Sequence, residues 1–203
     1  SPRVTYLGIG GALSETRYPK CGQTNPQVRI GIVELGSEIV WADFDPTLDQ
    51  YFGIPFWGPD SQEFFIARMP RLQNTIDLYA VNPEDGSKRH VYNETYKTWL
   101  NWFNGVVFTD SGLYMAREFE TGWQQIYFLS YDGKTFRRLT DGPNWGISIV
   151  RVDEKNGIAY YTAKRDATVR QALYKVDSKG VITTLTDPAY NVAGVVFSPD
   201  GKY

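Results

Sequence analysis

The sequence predicts an all-β chain, a β-propeller fragment of about three complete four-stranded blades with partial blades at both ends. Three observations carry this: a composition rich in ring side chains, a unit that recurs every 47 residues or so, and a glycine turn at a fixed place in each unit. Aromatic residues make up 15% of the 203 positions, and rings with β-branched residues suit a pleated, half-buried surface. The 19 glycines and 11 prolines supply turns between short strands. No 3.6-residue period persists along the chain, so few helices are expected.

The repeat is visible in several registers at once. Leu78-Tyr79, Ile126-Tyr127 and Leu173-Tyr174 align, with tyrosines 48 and 47 residues apart. The following turns, Asp85-Gly86, Asp132-Gly133 and Lys179-Gly180, place glycines 47 residues apart twice. Leu139-Thr140-Asp141 returns as Leu185-Thr186-Asp187, and Val106-Val107-Phe108-Thr109-Asp110 returns as Val195-Val196-Phe197-Ser198-Pro199-Asp200. Units of four strands repeating every 40–50 residues or so are the signature of a propeller. No Trp-Asp dipeptide occurs, which sets the repeat apart from the WD40 kind.

The elements follow in order. Residues 28–44 read as the outer hairpin of a partial blade, Val28–Leu35 and Glu38–Phe44 turning at Gly36-Ser37. Residues 52–97 form a blade. Residues 99–141 form the next, with strands predicted at about Gly105–Thr109, Leu113–Glu118, Gln124–Ser130 and Thr135–Thr140. Asp-Gly between alternating runs marks a hairpin, because Gly accepts positive φ and Asp bonds its own backbone. Residues 145–187 form a third blade and residues 192–203 open a fourth. Propellers close with roughly four to eight blades, so the expectation is a segment of a larger domain. Its exposed blade edges are a route to self-association.

Charge narrows the partners. Lys and Arg number 21, Asp and Glu 23, for a net charge of −2. Basic pairs are scattered and form no stripe, which argues against nucleic acid and anionic membrane. One cysteine, Cys21, forms no internal disulfide, and its Gly/Pro-rich setting predicts an exposed thiol with no role. No apolar run reaches the 20 residues or so of a membrane span.

Isolated chemical signals have plainer readings. His90, the one histidine, falls on a hairpin strand and reads as a surface or cross-strand residue. Gly146-Ile147-Ser148-Ile149-Val150 lacks the second glycine of a nucleophile elbow and reads as blade packing. Gly8-Ile9-Gly10-Gly11 lacks the third glycine and the βαβ setting of a dinucleotide loop, and no cofactor is expected. Asp43-Phe44-Asp45 reads as a turn before Pro46, not a metal site. Asn93-Glu94-Thr95 fits a glycosylation sequon that arises readily by chance.

Five stretches resemble the propeller of dipeptidyl peptidase IV-type enzymes in the prolyl oligopeptidase family of serine peptidases. They are Tyr18-Pro19-Lys20-Cys21-Gly22 with Asn25-Pro26-Gln27-Val28; Arg117-Glu118 through Gly122-Trp123-Gln124-Gln125-Ile126-Tyr127; Asp132-Gly133-Lys134 with Arg138-Leu139-Thr140-Asp141-Gly142; Val152-Asp153-Glu154-Lys155-Asn156-Gly157; and Phe197-Ser198-Pro199-Asp200-Gly201-Lys202-Tyr203. Cys21, Phe119 and Thr121 depart from the family pattern. The resemblance implies a parent serine exopeptidase that removes X-Pro or X-Ala dipeptides from peptide N-termini in the periplasm or another extracytoplasmic space. It implies catalysis by a C-terminal α/β-hydrolase domain and amine recognition by a glutamate pair. Neither the elbow nor a Glu-Glu dipeptide occurs here, so this chain alone is expected to be inactive. Peptide substrate is the implied partner, gated and positioned by the propeller. Within Trp99-Leu100-Asn101-Trp102-Phe103-Asn104 the resemblance marks Trp99 and Phe103 as substrate-facing, with Asn104 in place of the family's Arg. Packing of Trp99, Trp102 and Phe103 between blades is the competing reading. A non-catalytic, Tol-type propeller that scaffolds protein contacts is the competing function.

Overall fold

The computed structural model describes residues 3–203, and among these every regular element is a strand. The strands form five antiparallel sheets. β1 (Arg3–Leu7) and β2 (Leu13–Arg17) make an exposed hairpin. It closes where the Gly8 N–H donates to the Ala12 carbonyl at 2.7 Å, so the Gly8–Gly11 run is a hairpin turn. β3 (Gly31–Ile32) pairs with β4 (Val40–Trp41) over only two residues. The 28–44 hairpin is thus shorter than its sequence suggests. At its open end the reason lies in the next sheet: Ala42 still donates to Ile30, but the Asp43 N–H donates to the Gly86 carbonyl at 2.9 Å.

The first large sheet contains β5 (Gln50–Phe52), β6 (Phe56–Trp57), β7 (Phe64–Pro70), β8 (Thr75–Val81) and β9 (Lys88–Thr95). It has five strands, not four, because Gly53-Ile54-Pro55 splits the inner run. Proline has no N–H to give a ladder, so β5 pairs with Arg68–Pro70 and β6 separately with Phe64 and Phe65. The second sheet runs β10 (Val107–Phe108), β11 (Gly112–Arg117), β12 (Gln125–Ser130) and β13 (Phe136–Arg138). The third runs β14 (Trp145–Asp153), β15 (Ile158–Lys164), β16 (Ala172–Val176) and β17 (Ile182–Thr184). In both, neighbours in sequence are neighbours in space, as in propeller blades.

The core lies between the sheets. Alternate residues of a strand point to opposite faces, and in the middle sheet both faces are buried. Leu113, Met115, Tyr127 and Leu129 pack against Met69, Leu78 and Val91 of the preceding sheet. Tyr114, Ile126 and Phe128 pack against Ile149, Tyr161 and Tyr174 of the following one. Phe64, Ile66 and Val81 form the corresponding contact toward Ala42, Ile30 and Ile32.

The 47-residue repeat corresponds to one contact made three times. Gly86, Gly133 and Gly180 have φ of 75°, 74° and 82°. Each lies over the backbone of the preceding sheet's outer strand or its extension: Gly86 on Trp41, Gly133 on Val91, Gly180 on Leu139. A Cβ at Gly86 or Gly133 would overlap the carbonyl beneath it, whereas at Gly180 it would stand 3.5 Å from the Leu139 oxygen. These glycines therefore serve both the hairpin turn and the close approach of successive sheets.

Candidate functional site

The segment joining β9 to β10 carries the residues singled out from sequence, and it is held from several sides. The Tyr96 N–H donates to the Asn74 carbonyl at 2.9 Å and the Leu100 N–H to the Gln73 carbonyl at 3.0 Å. Leu100 is buried in the core, with Trp102 and Phe103 packed against it. Trp99 is 57% exposed. Inter-blade packing therefore describes Trp102 and Phe103 but not Trp99, which is absent from the core cluster that Leu100 enters.

Phe103 forms part of a cleft. Phe52–Phe56, Ala67 and Trp102–Asn104 line it, and its volume is about 430 Å³. Gly53 makes room for this arrangement, since a Cβ there would lie 3.0 Å from the Trp102 ring. The lining is mostly apolar, and Asn104 is the polar residue in it. Trp99 does not line it. The structure thus separates the two predicted substrate-facing residues, one on the surface and one in the cleft wall.

Behind Phe103 lies a buried ionic cluster that sequence reading missed. Arg117, the last residue of β11, and Glu94, near the end of β9, have side chains only 1% exposed. The Arg117 Nε and Nη2 atoms donate to the two Glu94 carboxylate oxygens, each at 2.8 Å. Tyr92 Oη donates to the same carboxylate at 2.8 Å. The third guanidinium nitrogen, Nη1, donates to the Trp102 carbonyl at 3.2 Å, and the guanidinium carbon stands 4.7 Å from the centre of the Phe103 ring. A planar fork satisfied on two edges and stacked on one face suits Arg and not Lys. Burial, then the Glu94 charge, raises the Tyr92 phenol well above its ordinary pKa, so it remains a donor. Glu118, the next residue, accepts from the Asn101 amide. The sole sequence signal was Arg117-Glu118 within the second family-like stretch.

The other candidates resolve locally. His90 faces Asp77 across β8 and β9, with Nε2 3.1 Å from the carboxylate, and Asn93 donates to that carboxylate at 2.8 Å. Ser148 is exposed on β14, in a different sheet from His90. Asp45 accepts from the Thr47 N–H and hydroxyl, Asp43 pairs with Lys88, and Cys21 is an exposed free thiol. Among the described residues no cluster of three or more His, Cys, Asp or Glu side chains has metal-binding geometry.

A family model described as the dipeptidyl peptidase IV (DPP IV) N-terminal region matches residues 9–203. The chain belongs to that family. The match takes in all five stretches that carried the resemblance, so a DPP IV-type propeller segment is what the sequence encodes. The crystal structure of Porphyromonas gingivalis dipeptidyl peptidase 4 superimposes with a TM-score of 0.77 over 91% of this chain, at 23% identity. That likeness bears out the all-β propeller fold. Among curated relatives, a probable dipeptidyl peptidase 4 of Emericella nidulans is 25% identical over 85% of the chain. A dipeptidyl peptidase 4 of Trichophyton rubrum is 24% identical over 93%. The chain spans about a quarter of each of these proteins: 27% of the bacterial chain, 24% and 26% of the fungal ones. Within this DPP IV N-terminal region, the cleft and the Glu94–Arg117 cluster lie where the first and second large sheets meet.

Proposed function

We propose that this chain is the non-catalytic propeller segment of a serine dipeptidyl peptidase that removes X-Pro or X-Ala dipeptides from peptide N-termini. The observation that carries the reading is the match of residues 9–203 to the DPP IV N-terminal region, supported by curated relatives named dipeptidyl peptidase 4. In this reading a C-terminal α/β-hydrolase domain supplies the nucleophile, and the propeller admits and orients the peptide. Orientation of this kind lowers the entropy cost of reaction and selects substrates. Trp99 and Phe103 face the substrate beyond the scissile bond, and the protein acts in the periplasm or another extracytoplasmic space.

The test is to express the complete natural reading frame containing this chain and assay Gly-Pro-p-nitroanilide, with and without a serine-directed organophosphorus reagent. Hydrolysis abolished by the reagent, with none from the 203-residue chain alone, is the expected result. A folded full-length protein that leaves the substrate intact overturns the peptidase reading and favours a binding scaffold.

A further inference from the structure

We infer that Arg117, clamped by Glu94, is a positioning residue that sets the Trp99–Asn104 segment for substrates longer than a dipeptide. The inference rests on the proposed peptidase function and adds a device within it. Its basis is a division of labour along six residues. Leu100, Trp102 and Phe103 face inward, while Trp99 and Asn104 are exposed. Apart from the Leu100 backbone bond, the polar ties on this stretch come from two consecutive residues at the end of β11. Arg117 donates to the Trp102 carbonyl and stacks on Phe103, and Glu118 accepts from Asn101.

Arg117 reaches the cleft only through others, because Phe103 lines it and Arg117 does not. Its own orientation is not free. The two parallel bonds to Glu94 fix the guanidinium plane, and Tyr92 holds the carboxylate. A bidentate pair fixes direction as well as distance. The plane of the Phe103 ring and the height of the Trp102 carbonyl are therefore set by Arg117, whose own direction is fixed by Glu94 in the preceding sheet, 23 positions from it in sequence. A peptide that ends at its scissile dipeptide has little to gain from this segment. In the proposed peptidase reading, a longer peptide extends across it.

The test compares Gly-Pro-p-nitroanilide with a hexapeptide beginning Gly-Pro, using the full-length protein. Two variants are made: Arg117→Lys, and the paired replacement Glu94→Leu with Arg117→Met, which keeps the volume apolar and spares an orphaned charge. Both are expected to raise KM for the hexapeptide about tenfold while leaving kcat, and KM for the short substrate, within about twofold. A purely structural role predicts a lower melting temperature and an unchanged ratio of the two KM values, and that result overturns the inference. If the paired replacement does not fold, Arg117→Lys decides alone, since it keeps the charge and loses the fork. If the wild-type full-length protein cleaves neither substrate, the peptidase reading fails and the inference with it. Wild-type cleavage with an unchanged ratio in the variants sinks the inference alone.

Discussion

Truncating Arg117 would leave the Glu94 carboxylate buried with one hydroxyl donor, and truncating Glu94 would strand a guanidinium at the same depth. Breaking such a pair from one side costs about 3–5 kcal/mol, while replacing both partners by apolar groups of similar volume is often neutral. Arg117→Ala and Glu94→Ala are each expected to lose stability in that range. The paired Glu94→Leu, Arg117→Met change should cost less than either. Urea unfolding measures this, with wild type, Glu94→Leu, Arg117→Met and the paired protein forming a double-mutant cycle. Additive losses would mean that the two side chains do not act as a unit.

Turns and strand ends decide how one sheet sits on the next. Gly133→Ala combines a left-handed backbone with an overlap on the Val91 carbonyl. Gly180→Ala carries the same backbone penalty, about 1–2 kcal/mol, but its Cβ would have ordinary contact with Leu139. Gly133→Ala is therefore expected to lower the unfolding midpoint further than Gly180→Ala, and equal losses in denaturant melts would count against the inter-sheet contact. A second connection runs through Glu154, in the turn after β14. It accepts from the Thr109 hydroxyl at 2.9 Å and the Asp110 N–H at 3.0 Å in the preceding sheet, and from Ser111 as well. Burial pushes the Glu154 carboxyl up, but the bonds from Ser111, Thr109 and the backbone of Asp110 and Ser111 outweigh it and leave it below its ordinary 4.5. A lowered folded-state value means stability that is complete above 4.5 and lost as pH falls through that lowered value. Glu154→Gln should lower the melting temperature at neutral pH and flatten its fall below pH 4.5. A parallel pH profile for variant and wild type would remove Glu154 from the inter-sheet account.

Across the whole molecule, large apolar side chains are exposed at both ends of the sheet series, among them Leu7, Ile9, Leu13, Val33 and Leu35 before the first large sheet. Val181, Leu185, Val196 and Tyr203 are 57%, 42%, 85% and 88% exposed. In the two interior contacts the corresponding faces are covered by a neighbouring sheet. Exposed edges and faces of this kind favour association. The isolated 203-residue chain is expected to self-associate at micromolar concentration, and the full-length protein to do so less. Sedimentation velocity compares them. An isolated chain that remains monomeric while retaining its β-sheet circular dichroism would show that these faces tolerate water.

The sequence by itself determined the repeat, the strand-rich class and the family, because all three are written in local terms. Turn glycines recur at a set spacing, strands alternate with period two, and the family-like stretches are contiguous. Even the middle sheet's two buried faces follow from alternation in Leu113–Met115 and Ile126–Leu129. Strand lengths were less legible, since the hairpin at β3 and β4 ends where a neighbouring sheet competes for the Asp43 N–H. The tertiary structure alone decided which aromatic of the Trp99–Phe103 run is buried, and that Glu94 and Arg117 meet. Neither residue looks buried in its local pattern: Glu94 sits inside a sequon-like triplet and Arg117 ends a strand. They become partners only because stacking brings the ends of β9 and β11 together, and a charge taken out of water must find its counter-charge there.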